Sequence, residues 1–390
     1  MKIVHIAPNA PYNDYWGYQD NLLPKYHKKL GHDVTMITTN TMHKDGEIVE
    51  TECADYVLND GVRVIRLKKK QYTPGVLTGI NARLEVFPYL SEIKPDFVFF
   101  HGLISSTIDE VVKYKKEIFP ACVIVQDNHY DYNIGRVCRN AKEWVFRTFY
   151  RHLCRKNIRH ISKVYGVTPW RKQYAEDYFA IPADKTDVLI MGADDEQIDF
   201  VNREKIRFEI RQRYAVTESD LLIVTGGKID QKKKIHLLME ACENLTGVKL
   251  LIFGQVHVDV QEEFDRLLQK NENIQYIGWI DSGKVYDYFF AADLVMFPGQ
   301  HSVLWEQACA SKVPCVFERW EGMDHVDNGG NSDFVSPVTT QTLRQKIEEL
   351  KYTPKYFEMK KVAQSEATDI YLYSKIAEKS LECKNKKVVH

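Results

Sequence analysis

The chain has no run of about 18 apolar residues, the length a helix needs to cross a bilayer, so no membrane span is expected. Its opening, MKIVHIAPNAPY, holds too short an apolar stretch for a secretory signal and reads as a first strand. The eight cysteines (Cys53, Cys122, Cys138, Cys154, Cys242, Cys309, Cys315 and Cys383) include no C-x-x-C pair. Several lie inside apolar runs, where a thiol acts as a small hydrophobe, and a reducing, cytoplasmic compartment is expected. The formal net charge is −1, so nothing pulls the whole chain toward nucleic acid or membrane; any such affinity has to be local. Internal repeats and low-complexity segments are missing too.

What remains is 390 residues, 44% hydrophobic and 27% charged, too long for one ordinary core and suited to two or three domains. Short apolar runs alternate with helical segments from the start. Lys2 to Ala7 reads as a strand, Gln19 to Leu30 as a helix stopped by Gly31, and Val34 to Thr39 as the next strand. Further strands are expected at 62–67, 96–100, 122–126, 163–167 and 187–191. The alternation restarts at Leu221 to Thr225 and continues through 248–253, 274–277, 294–297 and 315–317. Continuous rather than alternating hydrophobicity means sheets covered on both faces. The expected class is therefore α/β, with two doubly wound Rossmann-like domains facing across a cleft. Their boundaries are placed at 1–195 and 196–367, with a C-terminal helix from about 368 packing back on the first.

Chemistry concentrates in the second half. Residues 295–317, VMFPGQHSVLWEQACASKVPCVF, read as strand, turn, helix and strand, the helix running from about Ser302 to Lys312. Ser302 is placed to cap that helix, whose unpaired N–H groups would accept a phosphate. Glu306, one turn deeper, would take ribose hydroxyls, although a capped unit with a solvated glutamate fits the stretch about as well. Upstream, TGGKIDQKKKIHLL at 225–238 sets Gly226 and Gly227 after a strand, where backbone can approach a ligand. Lys228 and Lys233 follow, two ammonium groups suited to the charge that develops on a leaving diphosphate. A solvated lysine-rich turn explains either lysine alone. The spacing is neither a P-loop nor a G-x-G-x-x-G fingerprint.

The run G-G-K-I-D-x-x-K, FGQ at 253–255, QYIGWID at 275–281 and FPGQHSVLWEQACASKVPC resembles the C-terminal half of glycosyltransferase family 4. These are retaining enzymes of the GT-B fold that use nucleotide-sugar donors. The first half is similar as well, in the loop at Gly17, GHDVTMITT at 31–39, KPDFVFFHG at 94–102 and MGAD at 191–194. The resemblance implies that Lys228, a position usually arginine, and Lys233 bind the donor diphosphate. Glu306 corresponds to the second glutamate of the family pair, and Gly278 to Ile280 to the segment against the base. Gly227, Gly254, Ser302 and Val303 complete the implied donor site, and Gly17 approaches it from the first half. The first glutamate of the pair is missing: counting back eight positions gives Pro298, and Gln300 or His301 is the stand-in beside the donor sugar. In VIVQDNHYDYN, His129 matches the family histidine at the donor–acceptor junction, and Asp127 is the candidate to accept the acceptor's proton. His101, at another strand end, is the competitor. No metal or other cofactor is expected, because lysines and helix amides neutralise the leaving group, and the 127–131 cluster matches no zinc or calcium spacing.

One stretch is strongly basic. Between Arg136 and Arg159 lie Arg139, Lys142, Arg147, Arg151, Arg155 and Lys156 against a single acid, Glu143. Arg147, Arg151, Arg155 and Arg159 are spaced by four, one stripe of a helix, with Trp144, Phe146, Phe149 and Tyr150 as an aromatic flank. This suits anionic lipid and an acceptor carrying a lipid diphosphate, and RLKKKQY at 66–72 extends the patch. A solvated helix face fits it nearly as well. The expected activity is retaining transfer of a sugar, from UDP by preference, to a hydroxyl in bacterial surface-polysaccharide assembly at the inner face of the membrane. Two alternatives stay open: a UDP-sugar 2-epimerase of similar architecture, and a non-catalytic sugar-nucleotide or polysaccharide-binding subunit.

Overall fold

A computed structural model describes residues 1–72, 82–132 and 141–385. The chain forms two units, Met1–Ile190 joined by the C-terminal residues from Ile376, and Met191–Lys375. The C-terminal return therefore begins at Ile376, not near 368, because the turn Glu366–Tyr371 belongs with the second unit.

The first unit holds β1 (Lys2–Ala7), β2 (Asp33–Thr39), β3 (Thr41–Lys44), β4 (Glu47–Glu50), β5 (Ala54–Val57), β6 (Arg63–Leu67), β7 (Lys70–Gln71), β8 (Ala82–Arg83), β9 (Phe97–Phe100), β10 (Val123–Asn128), β11 (Lys163–Gly166) and β12 (Thr186–Val188). Eight of these make one sheet in the order β12-β11-β10-β9-β1-β2-β6-β5. All its pairings are parallel except that of β5 with β6, which closes the edge. The β3–β4 hairpin stands apart from this sheet, turning at Asp45 and Gly46, both at positive φ. Helix α1 (Gln19–Lys29) ends where Gly31 takes a φ of +83°, the left-handed position that a glycine adopts without penalty. Val4, Ile6, Val98, Phe100 and Ile124 of the sheet pack with Leu90, Val111, Tyr150, Leu153 and Tyr174 of the helices. Each such large side chain contributes about 1.5–3 kcal/mol by leaving water, so this layer is what fixes the sheet.

The second unit has six parallel strands, β13 (Leu221–Ile229), β14 (Val248–Val256), β15 (Ile274–Gly278), β16 (Leu294–Phe297), β17 (Cys315–Glu318) and β18 (Ser332–Val335). Their order is β15-β14-β13-β16-β17-β18. Strand β13 runs four residues beyond the expected LLIVT, through both glycines, because Gly226 and Gly227 pair with Phe253 and Gly254. A Cβ on Gly254 would stand 1.9 Å from the Gly227 oxygen, and one on Gly226 would stand 2.4 Å from the Phe253 oxygen. Close strand pairing, rather than an open loop, accounts for these glycines.

Strand order reverses between β1 and β9 in the first unit and between β13 and β16 in the second. Connections leave such a point on opposite faces of the sheet, and the crevice at the strands' carboxyl ends is where doubly wound sheets bind ligands. Both candidate clusters lie at these points.

Candidate functional site

In the second unit, the end of β13 leads into a tight turn at Gln231–Lys233, capped by Asp230, whose Oδ1 accepts from Lys233 N at 3.1 Å. This turn meets the segment that follows β16. Gln300 N donates to Lys232 O at 3.0 Å, and Lys233 Nζ donates to the carbonyls of Gln300 (2.5 Å) and His301 (3.3 Å). Gly299 permits the approach, since a Cβ there would stand 2.4 Å from Lys232 O. Burial lowers Lys233 from the ordinary lysine value to about 8, with Asp230 opposing and Lys228 adding to the shift. Lys228 is exposed, its Nζ 3.3 Å from Asp230 Oδ2. The two lysines and residues 299–301, far apart in sequence, are thus gathered at one switch point.

The helix after them is shorter than expected. It spans Leu304–Ala310, and Ser302 does not cap it: Val303 stands at the cap in helical geometry, φ −56° and ψ −18°, and no side-chain cap bond forms. The Ser302 carbonyl instead accepts from Trp305 N at 2.9 Å. Glu306 also departs from expectation. It is wholly buried, and its Oε1 accepts from the Nε2 atoms of His301 and His325, both at 2.8 Å. Burial alone would raise this carboxyl, but the two imidazoles hold it well below the usual carboxylate range. Its Oε2 is buried with no hydrogen-bond partner among the described residues. A glutamate presented to ribose is therefore not what the structure shows; it shows a buried charge clamped by two histidines. Among the described residues His301, Glu306 and His325 also offer three atoms of metal-ligating type within 4.8 Å of one another. Two N–H bonds to Oε1 hold the set together, while Glu306 Oε2 and His325 Nδ1 have no hydrogen-bond partner among the described residues. His325 went unread in GMDHVDN, where nothing but its residue type marks it.

Gly278 ends β15 at a φ of +75°, and a Cβ there would meet nothing within 4 Å. Ile280 is half-buried, while Trp279 between them is 73% exposed. Gly227 and Gly254, at φ +102° and +119°, lie against each other, and Gly227 also faces Leu304.

In the first unit, Asp127 on β10 is fully buried. Its Oδ2 accepts from His101 Nδ1 at 2.9 Å and its Oδ1 from Gly102 N at 2.7 Å. His129 Nε2 lies 3.4 Å from the same Oδ2, on a side chain that is 42% exposed. Burial would raise Asp127, yet His101 and His129 hold it well below the usual range. His101 is thus Asp127's closer partner, and His129 its more accessible one. Asp20 of α1, unread in the sequence, is raised by burial and faces His101, His129 and Asp127. His5, in the middle of β1, was the legible hint of this cluster: a lone imidazole inside KIVHIA needs polar partners indoors. Gly17 is exposed with open space about it, and its neighbour Trp16 stacks on His43 at 5.4 Å.

The basic stripe is only partly realised. Arg136 and Arg139 lie outside the described residues, as does the side chain of Lys142. Helix Ala141–Asn157 stops before Arg159, which falls in the short turn Ile158–His160 and donates to His160. Arg147 leans over the Tyr178 ring, 5.0 Å from its centroid. Arg155 is exposed and Arg151 half-buried. Of the aromatic flank, Phe146 and Tyr150 belong to the core, because the apolar face of the helix must cover the sheet, and Trp144 is exposed. Nor does 66–72 extend the patch: Arg66, Lys68 and Lys70 pair with Asp14, Glu50 and Glu85. No helix among the described residues is long and apolar enough to cross a membrane.

Residues 220–351 match the family described as Glycosyl transferases group 1. Curated proteins gave no match. Among solved structures, a glycosyltransferase from Rickettsia africae superposes with a TM-score of 0.69 at 17% identity, covering 99% of this chain and 98% of that one. Anabaena HepE in complex with UDP gives 0.65 at 15% identity, covering 99% and 100%. Sucrose-phosphate synthase from Thermosynechococcus elongatus gives 0.63 at 14%, covering 99% and 98%. The chain has the GT-B fold of two Rossmann-like domains, and the family match falls within its second unit, over residues 220–351.

Proposed function

We propose that the chain is a retaining glycosyltransferase that moves a sugar from a nucleotide-diphosphate sugar, UDP by preference, to a hydroxyl acceptor. The observation that carries this reading is the gathering of Lys228, Lys233 and residues 299–301 at the β13/β16 switch point, inside the matched segment. A diphosphate leaving group needs cations and N–H donors fixed in advance where its charge develops. Lys233, half-buried and tied to two carbonyls, is such a cation, and Lys228 is a second, exposed one. The backbone at Gly278 to Ile280 is open to a base, and Anabaena HepE, of the same fold, was solved with UDP. Transfer proceeds by front-face displacement, with orientation and leaving-group stabilisation supplied by the protein and no metal required. Gln300 or His301 stands in beside the sugar for the missing glutamate, and His129, the accessible partner of Asp127, serves the acceptor side.

The setting we propose is surface-polysaccharide assembly on a lipid-borne acceptor, with Trp144, Arg151 and Arg155 turned toward anionic lipid. The test of the donor site is calorimetric titration of UDP and of GDP into wild type, Lys233→Ala and Glu306→Ala, followed by a donor-hydrolysis screen with and without EDTA. Binding of one nucleotide that Lys233→Ala weakens is the expected result. If neither nucleotide binds, or the variant binds as the wild type does, the donor site is misplaced.

A further inference from the structure

A hydrogen-bonded file of side chains runs through the first unit from Asp127 to the C-terminal helix. Asp127 Oδ2 lies 2.9 Å from His101 Nδ1, and His101 Nε2 lies 3.1 Å from His5 Nδ1. His5 Nε2 lies 2.9 Å from His27 Nδ1, and His27 Nε2 lies 2.8 Å from Ser380 Oγ. Ser380 Oγ in turn lies 2.8 Å from the Ala377 carbonyl oxygen. His5, His27, Asp127, Ala377 and Ser380 are fully buried, and His101 is 9% exposed, so water supplies little that the file lacks.

Both ends of the file can only accept. An ionised carboxylate has no proton to give, and neither has a backbone carbonyl. Between them lie five contacts, Asp127–His101, His101–His5, His5–His27, His27–Ser380 and Ser380–Ala377. Three neutral imidazoles and one hydroxyl bring four protons between them. One contact would then set two lone pairs against each other at hydrogen-bond distance in a dry interior, a heavily penalised arrangement.

We infer that the file holds a fifth proton, carried by His101, which therefore faces Asp127 as an imidazolium with both ring nitrogens donating. Asp127 and His101 make a buried pair of no net charge: His101 Nδ1–H points to Asp127, and every other N–H points along the file toward Ala377. The other two imidazoles are poor places for the charge. Burial holds His5 well below its ordinary value, with His27 and His101 adding to the effect, and burial brings His27 to about 3. The remaining titratable groups facing the file are His129 and Asp20 at the Asp127 end and His32 near His27. His101, His5 and His27 are thus positioning residues: they fix Asp127 as a charged acceptor aimed at His129. An Asp127 held this way orients its neighbours and is a poor base for an acceptor hydroxyl.

The test is long-range proton–nitrogen NMR of the full-length chain, labelled with nitrogen-15, at pH 7.5 without nucleotide. The His101 signals are assigned by their loss in His101→Asn. Both His101 nitrogens are expected in the protonated range in wild type. Ser380→Ala should leave them so, because it removes one proton and one contact together: His27 Nε2 still faces the Ala377 oxygen at 3.3 Å. His27→Leu should return His101 to a single proton, because only Asp127–His101 and His101–His5 remain and two imidazoles suffice. A singly protonated His101 in wild type overturns the inference, and so does a doubly protonated one in His27→Leu. If His27→Leu does not fold, wild type and Ser380→Ala decide. The spectra involve no donor, so failure of UDP to bind would sink the transferase reading without touching this one.

Discussion

The ammonium of Lys233 lies 2.5 Å from the carbonyl oxygen of Gln300, across a sequence distance of 67 residues. One contact therefore joins the lysine turn after β13 to the loop after β16, and it places a desolvated cation where the sheet changes direction. Charge-assisted hydrogen bonds are worth about 1.5–3 kcal/mol, so Lys233→Ala should weaken UDP by about 10- to 100-fold by titration calorimetry.

The same lysine gives a pH signature. Burial lowers Lys233 to about 8, so the free protein loses this cation as pH rises through that value. A diphosphate requires the charged form, and binding must then take up a proton. UDP affinity should be level below pH 8 and fall above it, by at most about tenfold per pH unit. Affinity unchanged from pH 7 to 9.5 would rule Lys233 out as a diphosphate ligand.

Glu306 is expected to matter more to folding than its place near a sugar-nucleotide site suggests. Removing one partner of a buried ionic cluster costs about 3–5 kcal/mol, and Glu306→Ala should lose that much in urea unfolding. The folded carboxyl is held below its unfolded value of about 4.3. Its contribution is thus complete above that value and is lost as pH falls further. The gap between wild type and Glu306→Gln should accordingly narrow below about pH 4; a gap constant from pH 3 to 7 would show that the charge contributes nothing.

Two glycines at positive φ should respond very differently to a methyl group. Gly278→Ala meets open space and should cost only the left-handed penalty, about 1–2 kcal/mol. Gly254→Ala adds a Cβ 1.9 Å from the Gly227 oxygen, which only a shift of β13 against β14 can relieve. Its loss should exceed that of Gly278→Ala by at least about 2 kcal/mol in thermal unfolding. Equal losses would mean the strands separate easily.

The lipid reading makes a quantitative claim. Each basic residue near an anionic surface is worth about 1 kcal/mol, so Arg151→Gln with Arg155→Gln should lower partition onto phosphatidylserine vesicles about 30-fold. Lys68→Gln, whose cation is already paired with Glu50, should change it little. If both variants partition alike, the helix face is simply solvated.

Strands dominated by buried apolar residues were legible to the residue: Lys2–Ala7 and Leu294–Phe297 fall where the sequence puts them. Glycine defeated the reading of β13, since Gly226 and Gly227 signal a loop in isolation and a tight strand pair only when Gly254 is beside them. The β3–β4 hairpin carried its own signal, Asp45–Gly46 between extended runs, and went unread. At the candidate site, residue types were legible but partners were not. Lys233, His101 and Glu306 could be singled out; that they bind a carbonyl, a second histidine and a histidine pair is long-range information. Phe146 and Tyr150 misled because an amphipathic helix needs aromatics for its own core.

His27 finds the hydroxyl of Ser380 353 residues further along the chain. A ribosome releases the first unit's opening strands long before that serine exists, whereas Met191–Lys375 emerges as one uninterrupted piece. The first half to be synthesised is therefore the last to be completed. In a released chain truncated after Lys375, protease should cut the N-terminal unit while sparing its successor.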